Sequence, residues 1–214
     1  MTVIPAPWSL RGSGYMLFYK FSRAFVEQHG FIPPELKGCF DGFFGSVMLV
    51  NYESSPVGPY RELLFIPGRF RTPQGLKYSI TSIYVDSEAS TSSGRANWGI
   101  PKHTKTFRVE QDGKTERIQV LNDAGSPFFD ITVRSGGWYF PVTTALIPFQ
   151  LYQVWEGRSF LIKPSGYGRG QLARVSDIRV DPAYFPDIAL KKPLIAVKVS
   201  NFHMKFPQAH PILQ

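Results

Sequence analysis

Two stretches of this chain hold residue types that can work together chemically. The first is Asn51-Tyr-Glu-Ser-Ser-Pro-Val-Gly-Pro-Tyr-Arg-Glu62, which closes on Tyr60-x-Glu62. The second is Tyr84-Val-Asp-Ser-Glu-Ala-Ser-Thr-Ser-Ser-Gly-Arg-Ala-Asn-Trp-Gly-Ile-Pro-Lys102, which contains Gly94-Arg95 and ends in Pro101-Lys102. Glu62 and Lys102 are 40 positions apart. A lysine amine can attack a ketone and form an imine, which on protonation becomes an iminium. The iminium withdraws electrons and stabilises a carbanion on the adjacent carbon. Decarboxylation, aldol cleavage and dehydration all follow from that intermediate. The amine must be neutral to attack, whereas free lysine has a pKa of about 10.4. Burial in an apolar pocket or a neighbouring cation brings it down. A lysine that follows a proline is, taken alone, a solvated surface residue.

The two stretches resemble the signatures of the acetoacetate decarboxylase superfamily: a Tyr-x-Glu, a strand ending near an aspartate, then Gly-Arg and Pro-Lys. The likeness is strongest over residues 45 to 110, and the opening Pro-Trp-Ser-Leu-x-Gly-x-Gly-Tyr15 is similar to that family's first strand. Its catalytic lysine is a known instance of an amine activated by desolvation or a nearby cation. The resemblance implies that Lys102 is the Schiff-base lysine, that Glu62 is an acid close to it, and that Arg95 plays a structural part. Tyr60 and Trp98 fall within the matching stretches as candidate lining residues. Three positions depart from the pattern. His103 stands where the decarboxylases have a second lysine. Val47 stands where a further acid is expected by spacing. Arg11 is a displaced substitute for an arginine before the first-strand tyrosine. These changes imply a more apolar site and a substrate other than simple acetoacetate.

Other chemistries find little support. His29, His103, His203 and His210 show no metal-ligand spacing, and no glycine-rich phosphate-binding motif or GxSxG elbow occurs. Neither a metal nor another cofactor is expected. Cys39, the lone cysteine, reads as a small apolar residue, and it excludes an internal disulfide. With no recognisable export signal at the start, a reducing, cytoplasmic setting is expected. No apolar run reaches the ~18 residues a membrane span needs, so no membrane partner is expected. The net charge of +8 is spread along the chain without a nucleic-acid motif. It therefore fits a small carbonyl or carboxylate substrate better than nucleic acid. Homo-oligomerisation stays open.

The elements that must position these residues are mostly strands. The chain has 214 residues, 43% of them hydrophobic, and its 19 glycines and 18 prolines show no linker or repeat, so one domain over 1–214 is expected. Phe107–Val109 and Ile118–Val120 alternate apolar and polar residues around Asp112-Gly113, a hairpin pattern. Further strands are expected over 15–19, 45–51, 62–66, 78–85, 128–133, 159–162, 172–180 and 194–206. Ser22 to Gly30 reads as a short helix, and Tyr167-Gly-Arg-Gly170 as a loop. Pattern alone gives a β-rich barrel or sandwich. The resemblance narrows this to an α+β fold: a barrel or curled antiparallel sheet enclosing a ligand pocket, with few short helices. Fold does not choose the chemistry. A Schiff-base lyase is the first reading. A non-covalent cyclase or isomerase of an apolar metabolite, or a binding protein that has lost the chemistry, is the alternative.

Overall fold

The computed structural model describes residues 2–146 and 149–212. In chain order the elements are β1 (Trp8–Lys20), α1 (Arg23–His29), β2 (Phe40–Gly42), β3 (Phe44–Ser54), β4 (Tyr60–Ile66), β5 (Arg69–Thr72), β6 (Gly75–Tyr78) and β7 (Ser82–Val85). Then follow α2 (Glu88–Trp98), β8 (Lys102–Thr104), β9 (Thr106–Asp112), β10 (Thr115–Leu121), β11 (Pro127–Thr143) and β12 (Leu151–Trp155). The last are β13 (Arg158–Ile162), β14 (Ser165–Val180), β15 (Ile195–Phe206) and β16 (His210–Ile212). Among the described residues no helix is long and apolar enough to cross a membrane.

Ten strands form one sheet in the order β8-β7-β4-β3-β1-β15-β14-β11-β10-β9. Neighbours are antiparallel except β7 and β8, which run parallel. The two edge strands, β8 and β9, are separated in the chain only by Lys105. That short link curls the sheet back toward itself into a nearly closed barrel. Its inner face gathers Leu17, Val47, Phe65, Val120, Ile131 and Val133 into one buried cluster. The outer face of β1, β3, β4, β7 and β15 is also covered, by α2 and by the second sheet, β16-β13-β12-β6-β5-β2. A strand covered on both faces needs no polar alternation, which is why β4 reads Tyr-Arg-Glu-Leu-Leu-Phe-Ile with Arg61 alone not fully buried.

The expected hairpin is present: Ile118 pairs with Val109 and Val120 with Phe107, and Gly113 takes the left-handed turn at φ 56°. Helix α1 starts where expected, with the Ser22 hydroxyl accepting from the Phe25 N–H at 3.2 Å. Two expectations are corrected. Tyr167 to Gly170 is not a loop but part of β14, where its glycines let neighbouring strands and side chains approach closely. The 78–85 run divides into β6 and β7, which belong to different sheets.

Candidate active site

Residues i and i+2 of a strand point the same way, so Tyr60 and Glu62 of β4 share the face that meets α2. On the adjacent β3, Tyr52 pairs directly with Tyr60, and their ring centroids are 4.5 Å apart. Opposite them stands α2, whose N-cap Ser87 accepts from the Ser90 N–H at 3.2 Å. At its other end Gly99 takes φ 62° and its N–H returns to the Arg95 carbonyl. Ser90 and Gly94, one turn apart, face the sheet and are buried.

Lys102 enters this gap from β8. Its stem lies along Gly94 so closely that a Cβ there would sit 2.8 Å from Lys102 Cδ and 2.9 Å from Cε. The Nζ donates to Glu62 Oε2 at 2.8 Å and Ser90 Oγ at 3.0 Å, with Tyr60 Oη at 3.5 Å. Glu62 Oε1 accepts from the Tyr52 hydroxyl at 3.2 Å. The Arg95 guanidinium donates to the Lys102 carbonyl and lies 5.0 Å from the Trp155 ring centroid. The two motif pairs thus form one unit: Gly94 makes room for the lysine stem and Arg95 anchors its backbone.

Lys102 and Glu62 are each only 4% exposed, so the pair sits where water screens it poorly. Burial pulls the Lys102 amine toward neutrality, but the Glu62 carboxylate and Tyr60 outweigh it, and the net direction is upward. Burial pushes the Tyr60 hydroxyl up to about 12, and Tyr52 well above its ordinary value. At rest the amine is therefore an ammonium in a closed polar compartment. Transfer of its proton, with Glu62 the nearest base, is the step any attack on a carbonyl requires.

The other candidates are placed as follows. His103 is exposed and points to the opposite side of β8, its ring 6.0 Å from Tyr84. Partial burial, Arg95 and Lys105 hold it below the usual histidine value. Trp98 is buried in packing, its indole N–H donating to the Pro207 carbonyl at 2.7 Å and its ring edge-on to Trp8. Val47 lies in the barrel interior, on the face of β3 turned away from Glu62. Arg11 is exposed on β1, opposite His203 of β15. Neither Val47 nor Arg11 is brought to the lysine. Tyr52 and Ser90, which sequence reasoning did not single out, are. The Tyr52 signal was available in the matched spacing of Tyr52 and Tyr60 about the Pro56–Pro59 turn. For Ser90, in a run of small polar residues, no comparable signal exists.

A second lysine–glutamate pair, also not anticipated, lies at one mouth of the barrel. Lys198 donates to Glu116, whose Oε1 also accepts from the Tyr15 hydroxyl at 2.8 Å. Its side chains are 20% and 17% exposed, against 5% and 4% for Lys102 and Glu62. A cleft of about 620 Å³ follows the barrel seam past Asp86, Thr104, Lys105, Arg108 and Asn122 and does not include Lys102. Among the described residues no three His, Cys, Asp or Glu side chains gather as metal ligands.

The fold and the sequence are similar to those of several known proteins. In overall structure the chain is similar to the acetoacetate decarboxylase of Legionella pneumophila subsp. pneumophila str. Philadelphia 1, with a TM-score of 0.70 and 13% identity over 98% of this chain and 88% of that one. It is also similar to the enduracididine biosynthesis enzyme MppR, with a TM-score of 0.69 and 14% identity over 98% and 89% of the two chains. Identities this low speak for the fold. In sequence, 121 residues are 29% identical to the protein NEOXANTHIN-DEFICIENT 1 of Oryza sativa subsp. japonica, covering 55% of this chain and 39% of that protein. The match therefore covers well under half the length of that relative. The family described as acetoacetate decarboxylase matches residues 2–149, most of the chain and both halves of the buried ion pair, and to that family the chain belongs.

Proposed function

We propose that this protein is a lyase that works through an imine on Lys102, with a small keto acid or related carbonyl compound as substrate. The observation that carries this reading is the amine itself: a lysine withdrawn from solvent, 2.8 Å from a carboxylate, with its stem held against Gly94. In this reading Glu62 accepts the ammonium proton, and the freed lone pair attacks the substrate carbonyl carbon. The carbinolamine loses water, leaving a protonated imine. Electrons of the adjacent C–C or C–H bond then flow toward nitrogen, and a proton is returned to carbon before hydrolysis frees Lys102. Glu62 and the Tyr60 hydroxyl are the groups placed to hold those protons. Solved structures of the similar enzyme MppR contain pyruvate and a condensation product of pyruvate with imidazole 4-carboxaldehyde, which supports a keto-acid class here. His103 in place of a second lysine leaves Lys102 without an adjacent cation to favour its neutral form, so simple acetoacetate decarboxylation is not our reading.

A second reading rests on the same ion pair. An amine stabilised as ammonium suits a proton donor as well as a nucleophile, so a non-covalent isomerase or cyclase would keep this geometry. Borohydride reduction in the presence of pyruvate and longer keto acids, followed by intact mass and peptide mapping, separates the two. The expected adduct maps to Lys102, disappears in Lys102→Met and survives in Lys198→Met. Full turnover of the true substrate by Lys102→Met would overturn covalent catalysis and leave the second reading.

A further inference from the structure

Strand β11 changes character along its length. Its first half, to Val133, is mostly buried in the barrel, but five consecutive residues, Gly137-Trp-Tyr-Phe-Pro141, are exposed. Successive strand residues point to opposite faces, so neither face of this segment is covered. It pairs with the Tyr167–Gln171 part of β14, which in turn pairs with β15, so the two make an exposed ribbon at the margin of the ten-stranded sheet. The ribbon carries large apolar groups: Trp138 is 92% exposed, Tyr139 56% and Tyr167 62%. Exposed aromatic patches of this kind mark docking surfaces.

The charge around the ribbon identifies the partner. Residues 135–143 and 165–175 contain no Asp or Glu, while Arg169 and Arg174 lie within them and Arg134 immediately before. Arg169 packs over the Tyr139 ring at 4.6 Å. Arg134 and Arg174 are directly opposed across β11 and β14, an arrangement of like charges that is unfavourable without an anion between them. They flank a shallow depression of about 250 Å³ floored by Gly136 and Leu172. Among the described residues no acidic side chain lies within 4.0 Å of any of the three guanidinium groups.

A second copy would bring this acid-free arginine ribbon against itself. A protein partner would have to grip aromatics that leave from both faces. An anionic bilayer surface satisfies both features. Trp and Tyr settle at the level of the headgroups, and arginines pair with lipid phosphates. We infer that the β11–β14 ribbon docks this protein onto anionic membrane surfaces, with Trp138, Tyr139 and Tyr167 entering the headgroup layer and Arg134, Arg169 and Arg174 on the phosphates. The expectation of no membrane partner rested on the lack of a spanning run, which bears on crossing a bilayer and not on lying against one.

The test is co-sedimentation of the purified chain with phosphatidylcholine vesicles, with and without phosphatidylserine, over a range of salt. Binding is expected only with phosphatidylserine and should fall as salt rises. The pair Arg134→Glu/Arg174→Glu should weaken it by about tenfold or more, and Trp138→Ser should weaken it at every salt concentration. Both changes are on exposed side chains, so wild-type thermal unfolding is expected and serves as the control; should Trp138→Ser fail it, the arginine pair decides alone. The inference is overturned if the wild type ignores phosphatidylserine vesicles at low salt, or if the arginine variant binds like the wild type. It is also overturned if light scattering shows a dimer that the arginine variant dissociates while vesicle binding is absent. None of these outcomes touches the reading of Lys102.

Discussion

Replacing a helical glycine with alanine ordinarily stabilises a protein by ~1 kcal/mol, because alanine is the better helix former. At Gly94 the sign should reverse. A methyl group there would lie 2.8 Å from Lys102 Cδ and 2.9 Å from Cε, well inside van der Waals contact. A free lysine would swing aside, but this one is tethered at both ends. Its amine is held by Glu62 and Ser90, and its backbone carbonyl by Arg95. Either the helix shifts or the ion pair stretches, and overpacking of that kind costs about 1–3 kcal/mol. Set against the propensity gain, the net is a loss of ~1 kcal/mol, or roughly 2–4 °C in melting temperature for a chain of this size. Gly94→Ala and Ser92→Ala, the latter at a half-buried position of the same helix, would be compared by urea and thermal unfolding. Ser92→Ala should not show this loss. Gly94→Ala should also slow borohydride trapping of Lys102, since the amine is what moves. If Gly94→Ala is more stable than the wild type and traps at the same rate, the lysine stem does not cross the helix as described.

The buried pair should behave as a unit. Lys102→Met or Glu62→Gln alone leaves one buried charge without its partner and should cost about 3–5 kcal/mol, while the double variant should cost much less than the sum; additive losses in urea titrations would contradict the pairing. Stability should also fall at alkaline pH. Burial raises Tyr52, Tyr60 and Tyr84 in the folded state, with Tyr60 and Tyr84 pushed up to about 12 from an ordinary 10.0, and against its own burial Lys102 is raised by the Glu62 carboxylate and Tyr60. The folded chain holds these protons more tightly than the unfolded one, so the stabilisation is complete below pH 10 and is lost as pH rises toward 12. Unfolding free energies that match at pH 9 and pH 11 would refute this. By the same upward shift of Lys102, trapping of the imine should quicken as pH is raised from neutral to mildly alkaline, and a rate falling over that range would remove the neutral amine from the mechanism.

Local chemistry sufficed for several features. The Asp112-Gly113 turn and its flanking alternation specify a hairpin, and Ser22 and Gly30 bracket a short helix, because these signals act between residues close in the chain. The Gly-Arg and Pro-Lys stretches identified the family, and Lys102 with them. The β-rich barrel followed from the run of short strands and from that likeness. Helix α2 did not: Glu-Ala-Ser-Thr-Ser-Ser-Gly-Arg-Ala-Asn-Trp is rich in weak helix formers, and it holds its shape through its Ser87 and Gly99 caps and its packing on β7, β8 and β13. Tyr167 to Gly170 resembled a loop because the strand there buries little, and its glycines accommodate neighbours from distant parts of the chain. What Lys102 touches was settled only by folding. Tyr52 reaches Glu62 through the lateral pairing of β3 with β4, Ser90 reaches the amine across a helix–sheet interface, and Val47 faces the barrel interior because one residue of strand register reverses the direction of a side chain. The sequence determines which groups are available; the proton affinity of Lys102 depends on which of them meet away from water, and that arises only when the sheet curls and α2 closes over it.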